Sequence, residues 1–455
     1  MPADPNLDLL LIDDESDFNR QKYQGKLSSL FTGDLLHRLI ISAGFWAFLP
    51  PKLAVPVLSA HSKAAGHSVE SIYKPMLLWK LWKFRRLLRR RPRVVGITTV
   101  AIFDAAFLQR ITAEVRRFSP GSLIVLGGQG AADDPAIRAL GDLYISNHGE
   151  EALAALLTAL KGGAEPGRAP GVTVSPEGGL TLAGSRRYEG ISRALLPDWD
   201  AISSSCSCYP VEASRGCRFN CAYCIFPGRT SQVYRDPAAV VGDMRHLYET
   251  RGIREFDFLD SSLTSDTDFV LKLCAALRRE KFRATWKCWA RPDAFARVPE
   301  LAGEMAAAGC VKVSLGIESI HEHILTKMRR GMSRAVLESG LDRVFRSGIK
   351  VYGLFVVGFP GETAETVEET TRFIAPRPFT AVYFGVFCMS KEMRALAAAE
   401  PERYCHLAGE NSMDWRHDGM DYPGACGLAA EMVRRINLGK PRPVASCVED
   451  VLRAK

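Results

Sequence analysis

The stretch Glu212 to Gly228, EASRGCRFNCAYCIFPG, carries three cysteines, Cys217, Cys221 and Cys224, in the spacing C-x3-C-x2-C. Three thiolates this close on one loop suit three irons of a 4Fe–4S cube, because such clusters are held by cysteine sulfur. The fourth iron then keeps an open position, the property that separates a catalytic metal site from a closed structural one. Structural zinc is the competing reading. It calls for four ligands, normally in two separated pairs, and no second C-x2-C pair follows at that spacing. Cys206 and Cys208 lie just upstream as additional donors, so zinc stays open on spacing alone.

Together with Tyr223, the residue before the last cysteine, this trio resembles the signature of the radical S-adenosylmethionine superfamily. Further segments follow in the order that the resemblance implies: FDFLDSSLT from Phe256, VSLGIES ending near Glu318, and YGLFVVGFPGET with Gly358, Pro360, Gly361 and Glu362. The resemblance covers 212 to about 375. It implies a metal set of Cys217, Cys221 and Cys224, and S-adenosylmethionine bound at the open iron. Reductive cleavage of the sulfonium would then give a 5′-deoxyadenosyl radical. It also implies cofactor contacts from Asp260, Ser261, Glu318, Gly358, Pro360 and Gly361. Arg291, in CWARPDAF, has the guanidinium fork that pairs with a carboxylate, here that of the methionine part.

At 455 residues the chain has room for two or three domains. An apolar share of 47% fits packed globular domains. No apolar run reaches the length of a membrane-spanning helix, and MPADPNLDLLLIDDES has acidic residues where an export signal would be basic. Twelve cysteines in a chain of this length fit metal ligation in a reducing cytoplasm better than a disulfide framework. Part of the net charge of +8 is concentrated between Lys80 and Arg93, interleaved with Trp79, Trp82 and Phe84. The favoured reading is a solvated helix whose aromatic side packs on the core. No nucleic-acid module accompanies it, so a nucleic-acid partner is not expected.

The first 160 residues alternate apolar runs (LDLLLID, HSVESIY, RVVGITTV, SLIVLGG, DLYISN) with amphipathic segments, the pattern of a parallel, doubly wound sheet. Ligands of such sheets bind beyond the carboxyl ends of the strands. There the sequence places Asp13, Asp14, Thr98, Thr99, Gly127, Gly128 and Gln129. The dinucleotide fingerprint G-x-G-x-x-G is missing after the first run. AAGHSVE, VVGITTV, LIVLGGQGAADDP and ISNHGEEAL together resemble the cobalamin-binding domain that precedes many radical S-adenosylmethionine cores. By that resemblance Thr98, Thr99, Gly127, Gly128 and Gln129 are cobalamin contacts. The D-x-H-x-x-G motif that supplies cobalt with a histidine in some such domains is absent.

The expected architecture is therefore α/β: a Rossmann-like doubly wound parallel sheet over 1–162, a connector over 163–205 with a hairpin in GVTVSPEGGLTL, a partial (β/α)6 TIM-like barrel over 206–387, and a short C-terminal extension over 388–455. In the extension Tyr422 and His417 are candidates for a catalytic role, and Cys388, Cys405, Cys426 and Cys447 read as buried thiols. The expected function is a radical S-adenosylmethionine methyltransferase with three cofactors, a 4Fe–4S cluster, S-adenosylmethionine and cobalamin. It would act on an unactivated centre of a small molecule, with a flavodoxin or ferredoxin as electron donor. Other readings are a rearrangement or cyclisation without methyl transfer, transfer of a 3-amino-3-carboxypropyl group, and a non-catalytic iron–sulfur or corrinoid sensor.

Overall fold

The computed structural model describes residues 7–14, 52–100, 102, 104–174, 179–184, 195–202, 207–224, 231–438, 440 and 444–447. Cys206 and the side chains of Gln129 and Cys447 lie outside the described part. The chain divides into two compact units, Met1–Cys206 and Ser207–Lys455.

The first unit is built on β1 (Leu9–Asp13), β2 (Val69–Tyr73), β3 (Val94–Thr98), β4 (Leu123–Gly127), β5 (Leu143–Ser146), β6 (Val172–Val174) and β7 (Leu180–Ala183). Their order is β2-β1-β3-β4-β5-β7-β6, parallel except for β6. All five residues of β1 and of β3 are buried, which their unbroken apolar sequences require of a sheet covered on both faces. Alternate residues serve opposite cores. Leu10 and Ile12 join Phe84, Leu108 and Ile111, from helices α2 (Leu78–Leu88) and α3 (Ala105–Phe118). Leu9 and Leu11 join Leu153, Leu156 and Leu157 of α4 (Glu150–Lys161). The 2-1-3-4-5 part of this order puts a topological switch point between β1 and β3. The hairpin expected in the connector is the antiparallel β6–β7 pair, and it extends this sheet.

One expectation for the basic helix is corrected. In α2 Phe84, Leu87 and Leu88 form the buried stripe, whereas Trp79 and Trp82 are 58% and 61% exposed. Helical spacing explains the difference, since residues 79, 82 and 86 fall on the face opposite 84, 87 and 88. Arg86 lies over the Trp82 ring at 5.4 Å instead.

The second unit holds β8 (Cys208–Val211), β9 (Ser214–Gly216), β10 (Gln232–Tyr234), β11 (Glu255–Phe258), β12 (Thr285–Ala290), β13 (Cys310–Glu318), β14 (Lys350–Val357) and β15 (Ala381–Val386). Then follow β16 (Arg416–His417), β17 (Met420–Asp421) and β18 (Ala445–Cys447). Parallel strands β8-β11-β12-β13-β14-β15 give the six expected of the partial barrel, and β18 adds a seventh beside β15. That last strand is pinned by Asn437. Its Oδ1 accepts from the Val444 and Ala445 amides at 2.7 and 2.8 Å, and its Nδ2 donates to the Ala445 carbonyl. Helix α5 (Pro237–Arg251) starts on the Asp236 side chain, which accepts from the Ala238 amide, and stops at Gly252 with φ +69°. No helix among the described residues is long and apolar enough to cross a membrane.

Two glycines give opposite expectations. A Cβ on Gly130 would lie 1.9 Å from the Ile102 carbonyl oxygen, whereas one on Gly242, inside α5, would meet nothing within 4 Å. Gly130→Ala is expected to destabilise the first unit by about 1–3 kcal/mol. Gly242→Ala should stabilise the second by about 0.5–1 kcal/mol through helix propensity. Scanning calorimetry of the two variants checks both signs.

Candidate functional site

The cluster loop leaves the barrel through a short ladder. β9 pairs antiparallel with β10, Gly216 opposite Gln232 and Ser214 opposite Tyr234, so both ends of the loop containing Cys217, Cys221 and Cys224 are tied together. Asp260 fastens this ladder to the end of β11. Its buried carboxylate accepts from the Ala213 amide at 3.2 Å and from the Ser214 hydroxyl. Burial lifts its pKa to about 7 against those two hydrogen bonds. The Asp260 carboxylate thus faces back into the loop's support, and its neighbour Ser261 is exposed.

Two guanidiniums meet the loop from below. Arg291, directly after β12, stacks on Phe219 at 3.8 Å, and its Nη1 lies 4.0 Å from Cys221 Sγ. The remaining donors are engaged, Nε with Asp293 at 3.0 Å and Nη2 with the Arg330 carbonyl at 2.5 Å. Arg330 was not singled out by the sequence, where it is one of 59 lysines and arginines. It lies between α9 (Glu322–Lys327) and α10 (Arg334–Arg346), counting α6 (Thr267–Arg278), α7 (Pro292–Arg297) and α8 (Leu301–Ala307) before them. Its Nη1 is 3.7 Å from Cys221 Sγ and donates to the Tyr223 hydroxyl at 3.1 Å, while Nη2 donates to the Gly316 carbonyl. Arg330 Nε is buried with no partner among the described residues.

Glu318 completes this group. The β13–β14 register shifts between Gly316 and Glu318, a bulge that re-aims the side chain, and Glu318 has φ +67°. A left-handed glutamate persists only where its surroundings force it. Here its Oε1 lies 4.0 Å from Arg330 Nη1. A Cβ on Gly316 would come within 2.7 Å of that same oxygen, so a side chain there would push the Glu318 carboxylate from its place. Burial raises the Glu318 pKa, while Arg330 and the Tyr223 hydroxyl pull it down. Burial and the Glu318 charge together hold Tyr223 well above the ordinary phenol range. Burial also raises the Cys217 thiol, partly offset by the Phe219 amide, Arg291 and Arg330.

A cluster held by Cys217, Cys221 and Cys224 fits this donor set. Thiolates are favoured beside guanidinium groups, and Arg291 and Arg330 both approach Cys221. Among the described residues no three His, Cys, Asp or Glu side chains are gathered as closely as a single metal ion needs.

The Gly358–Gly361 turn lies at the end of β14. Gly358 has φ +89° and Gly361 φ +98°, and Pro360 is buried. A Cβ on Gly358 would strike the Trp415 ring at 2.5 Å. His417 supports the turn from behind. Its Nε2 is 3.3 Å from the Gly358 carbonyl, its Nδ1 accepts from the Gly419 amide at 3.1 Å, and its ring stacks on Trp415. With both ring nitrogens on backbone groups, His417 positions Gly358. Tyr422 packs edge-on against Trp415 at the start of the helix Tyr422–Asn437. Of the four C-terminal cysteines, Cys426 is buried, Cys405 is half-buried with its Sγ 2.8 Å from Lys327 Nζ, and Cys388 is exposed, unlike the buried thiol expected there.

In the first unit, Thr99 Oγ1 donates to the Gly127 carbonyl and accepts from the Ala131 amide, both at 3.0 Å. Gly128, at φ +113°, is closed in by the Val100 amide. These two residues knit the β3 and β4 loops together. Thr98 differs, since its Oγ1, at the switch point, is buried with no partner among the described residues, and a Cβ on Gly127 would meet only the Ile145 carbonyl oxygen, at an ordinary contact distance of 3.9 Å. A buried hydroxyl with no partner among the described residues, beside an uncrowded glycine, fits a polar cofactor there.

Glu362 yields a pH prediction. Its carboxyl is buried and accepts from the Gly358 amide at 2.5 Å, and burial raises its pKa from 4.5 to about 8. The folded state therefore binds a proton that the unfolded state releases. This group's contribution is full below pH 4.5 and is lost as pH rises towards 8. Glu362→Gln should flatten the fall of stability across that window, measured as denaturation midpoint against pH.

Comparison with known proteins agrees with this geometry. Residues 211–374 match the Radical SAM superfamily. An uncharacterized methyltransferase of Pyrococcus horikoshii is 25% identical over 297 residues, 62% of this chain and 64% of the relative. The anaerobic magnesium-protoporphyrin IX monomethyl ester cyclase of Rubrivivax gelatinosus is 25% identical over 355 residues, 72% of this chain and 62% of the relative. The chain thus spans a little over three fifths of these relatives. Among solved structures, the radical S-adenosylmethionine methyltransferase TsrM from Kitasatospora setae, with cobalamin and a 4Fe–4S cluster bound, matches at TM-score 0.63 and 19% identity. The match covers 84% of this chain and 76% of that one. The cobalamin-dependent S-adenosylmethionine radical enzyme OxsB matches at TM-score 0.65 and 15% identity, covering 88% and 56%. At these identities the likeness is one of fold. The cysteine loop, the parallel barrel that carries it and the match over 211–374 together place a radical SAM superfamily domain in this chain.

Proposed function

We propose that the chain is a radical S-adenosylmethionine methyltransferase acting on a small molecule, with a 4Fe–4S cluster on Cys217, Cys221 and Cys224 and a cobalamin on the first unit. The observation that carries it is the Cys221–Arg330–Glu318–Tyr223 group, in which a thiol, a cation and a strained carboxylate meet at the carboxyl end of a parallel barrel. When bound, the cluster supplies an electron for reductive cleavage of S-adenosylmethionine and the cobalamin supplies the methyl group.

The chain's own residues bind and orient. Arg291 and Arg330 offset the negative charge of the thiolates. Glu318, aimed by its bulge, presents an acceptor for an ammonium or hydroxyl group of S-adenosylmethionine. The Gly358–Gly361 turn offers backbone for close contact with adenine, and Pro360 and His417 hold that turn in place. In the first unit Thr98, with Gly127, lines the cobalamin end of the sheet, on loops that Thr99 and Gly128 hold together. Tyr422 and His417 support the Gly358 turn, so no proton transfer is assigned to either. Support for methyl transfer comes from TsrM, a methyltransferase whose structure contains cobalamin and the cluster. The electron would come from a flavodoxin or ferredoxin in a reducing cytoplasm.

Anaerobic reconstitution with S-adenosylmethionine, followed by mass spectrometry, tests this reading. Wild-type protein should give 5′-deoxyadenosine or S-adenosylhomocysteine and show the optical bands of a bound corrinoid. Cys221→Ala should lower cleavage at least about hundredfold, roughly 3 kcal/mol in barrier, and lose iron. Cys426→Ala, a buried helix position, should keep both. Methylthioadenosine as the main product would instead identify aminocarboxypropyl transfer. A Cys221→Ala protein with full iron and normal cleavage would refute the cluster assignment.

A further inference from the structure

The barrel strands alternate strictly in β12. Trp286, Cys288 and Ala290 are 1%, 2% and 4% exposed and form the face under the helices, so Lys287 and Trp289 point to the concave face. Trp289 is 46% exposed, unusual for the largest apolar side chain. Its register partner on β13 is Ser314, whose partner on β14 is Tyr352. The three form one row across the concave face, Trp289 and Tyr352 being two strand spacings, about 10 Å, apart. Leu259 continues the row on the other side, because Asp257 pairs with Lys287, and it is 49% exposed.

The row has a charge at one end. Lys312 places Nζ 4.5 Å from the Tyr352 ring centroid. The neighbouring Lys287 is matched by Asp257 at 3.0 Å, but among the described residues Lys312 forms no ion pair. Burial and the nearby Lys287 lower its pKa, with the Asp257 charge pulling the other way. The row also lies close to the cluster loop. Arg291, which touches Cys221, is two residues beyond Trp289, about 7 Å along the strand.

We propose that Leu259, Trp289, Tyr352 and Lys312 form a substrate-binding surface for a planar aromatic small molecule bearing a carboxylate. Its ring lies on Trp289 and Leu259, and its carboxylate meets Lys312 Nζ at the edge of Tyr352. Exposed aromatic and aliphatic side chains supply apolar area, while the cation adds a charge-assisted hydrogen bond that orients the ligand. As the identity of a substrate, this rests on the catalytic reading above; as a binding site, it does not.

Naphthalene-2-carboxylate and naphthalene-2-carboxamide, titrated calorimetrically into anaerobically reconstituted protein, test the site. Wild type should bind the acid roughly five- to tenfold more tightly than the amide, with the preference shrinking as salt rises. Lys312→Met should bring the two affinities together, and Lys312→Arg should keep the preference. Trp289→Leu should weaken both ligands by a similar factor. Equal binding of acid and amide by wild type would overturn the proposal, as would an undiminished preference in a folded Lys312→Met protein. If Lys312→Met does not fold, Lys312→Gln makes the same comparison. Absence of S-adenosylmethionine cleavage in wild type would defeat the catalytic reading and leave the acid-to-amide ratio as an independent result.

Discussion

A buried positive charge organises the second unit. Arg330 has its guanidinium among Cys221, Tyr223, Glu318 and the Gly316 carbonyl, and a buried ion is stable only where its surroundings answer it. Much of the local structure is that answer. The β13 bulge and the left-handed Glu318 bring a carboxylate to within 4.0 Å. Gly316 leaves room for that carboxylate, which a Cβ would crowd at 2.7 Å. Arg291 donates to the Arg330 backbone carbonyl, so its guanidinium is fixed to the segment that carries Arg330. Removing one partner leaves the others buried and uncompensated, so the group behaves as a unit.

The same economy of placement recurs at the ends of other strands. Asp260, neutralised in part by burial, spends its hydrogen bonds on the support of the cluster loop. Glu362 accepts from the Gly358 amide, and His417 closes the same turn through the Gly358 carbonyl. The partners of these residues are backbone amides, a carbonyl and the Ser214 hydroxyl. Through these partners the side chains set the backbone of the strand ends, which is how a loop gains the rigidity of its scaffold. In the first unit Thr99 and Gly128 act likewise, joining the β3 and β4 loops, while the buried Thr98 hydroxyl has no partner among the described residues.

Much was readable from sequence because it depends on local chemistry. The C-x3-C-x2-C spacing defines a thiolate loop wherever it falls. Unbroken runs such as LLLID and VVGIT can be satisfied only in a sheet covered on both faces, and the structure buries every residue of both. Asp236 and Gly252 marked the two ends of one helix by capping rules alone. What depends on partners distant in sequence was not readable. Arg330 carries no motif and gains its meaning from Cys221, 109 residues away. Trp79 and Trp82 looked like core residues by type, but the rotation of α2 turned them outward. The last strand passed for an extension because its place in the sheet rests on pairing with β15, some sixty residues earlier, and on the Asn437 side chain folded back on Val444 and Ala445. Sequence alone determined the ligand-bearing loop, the parallel architecture and the chemistry to look for, since spacing and periodicity act over a few residues. The tertiary structure decided which charges meet, which glycines are obligatory and which side chains face the concave surface, since those follow from register and burial.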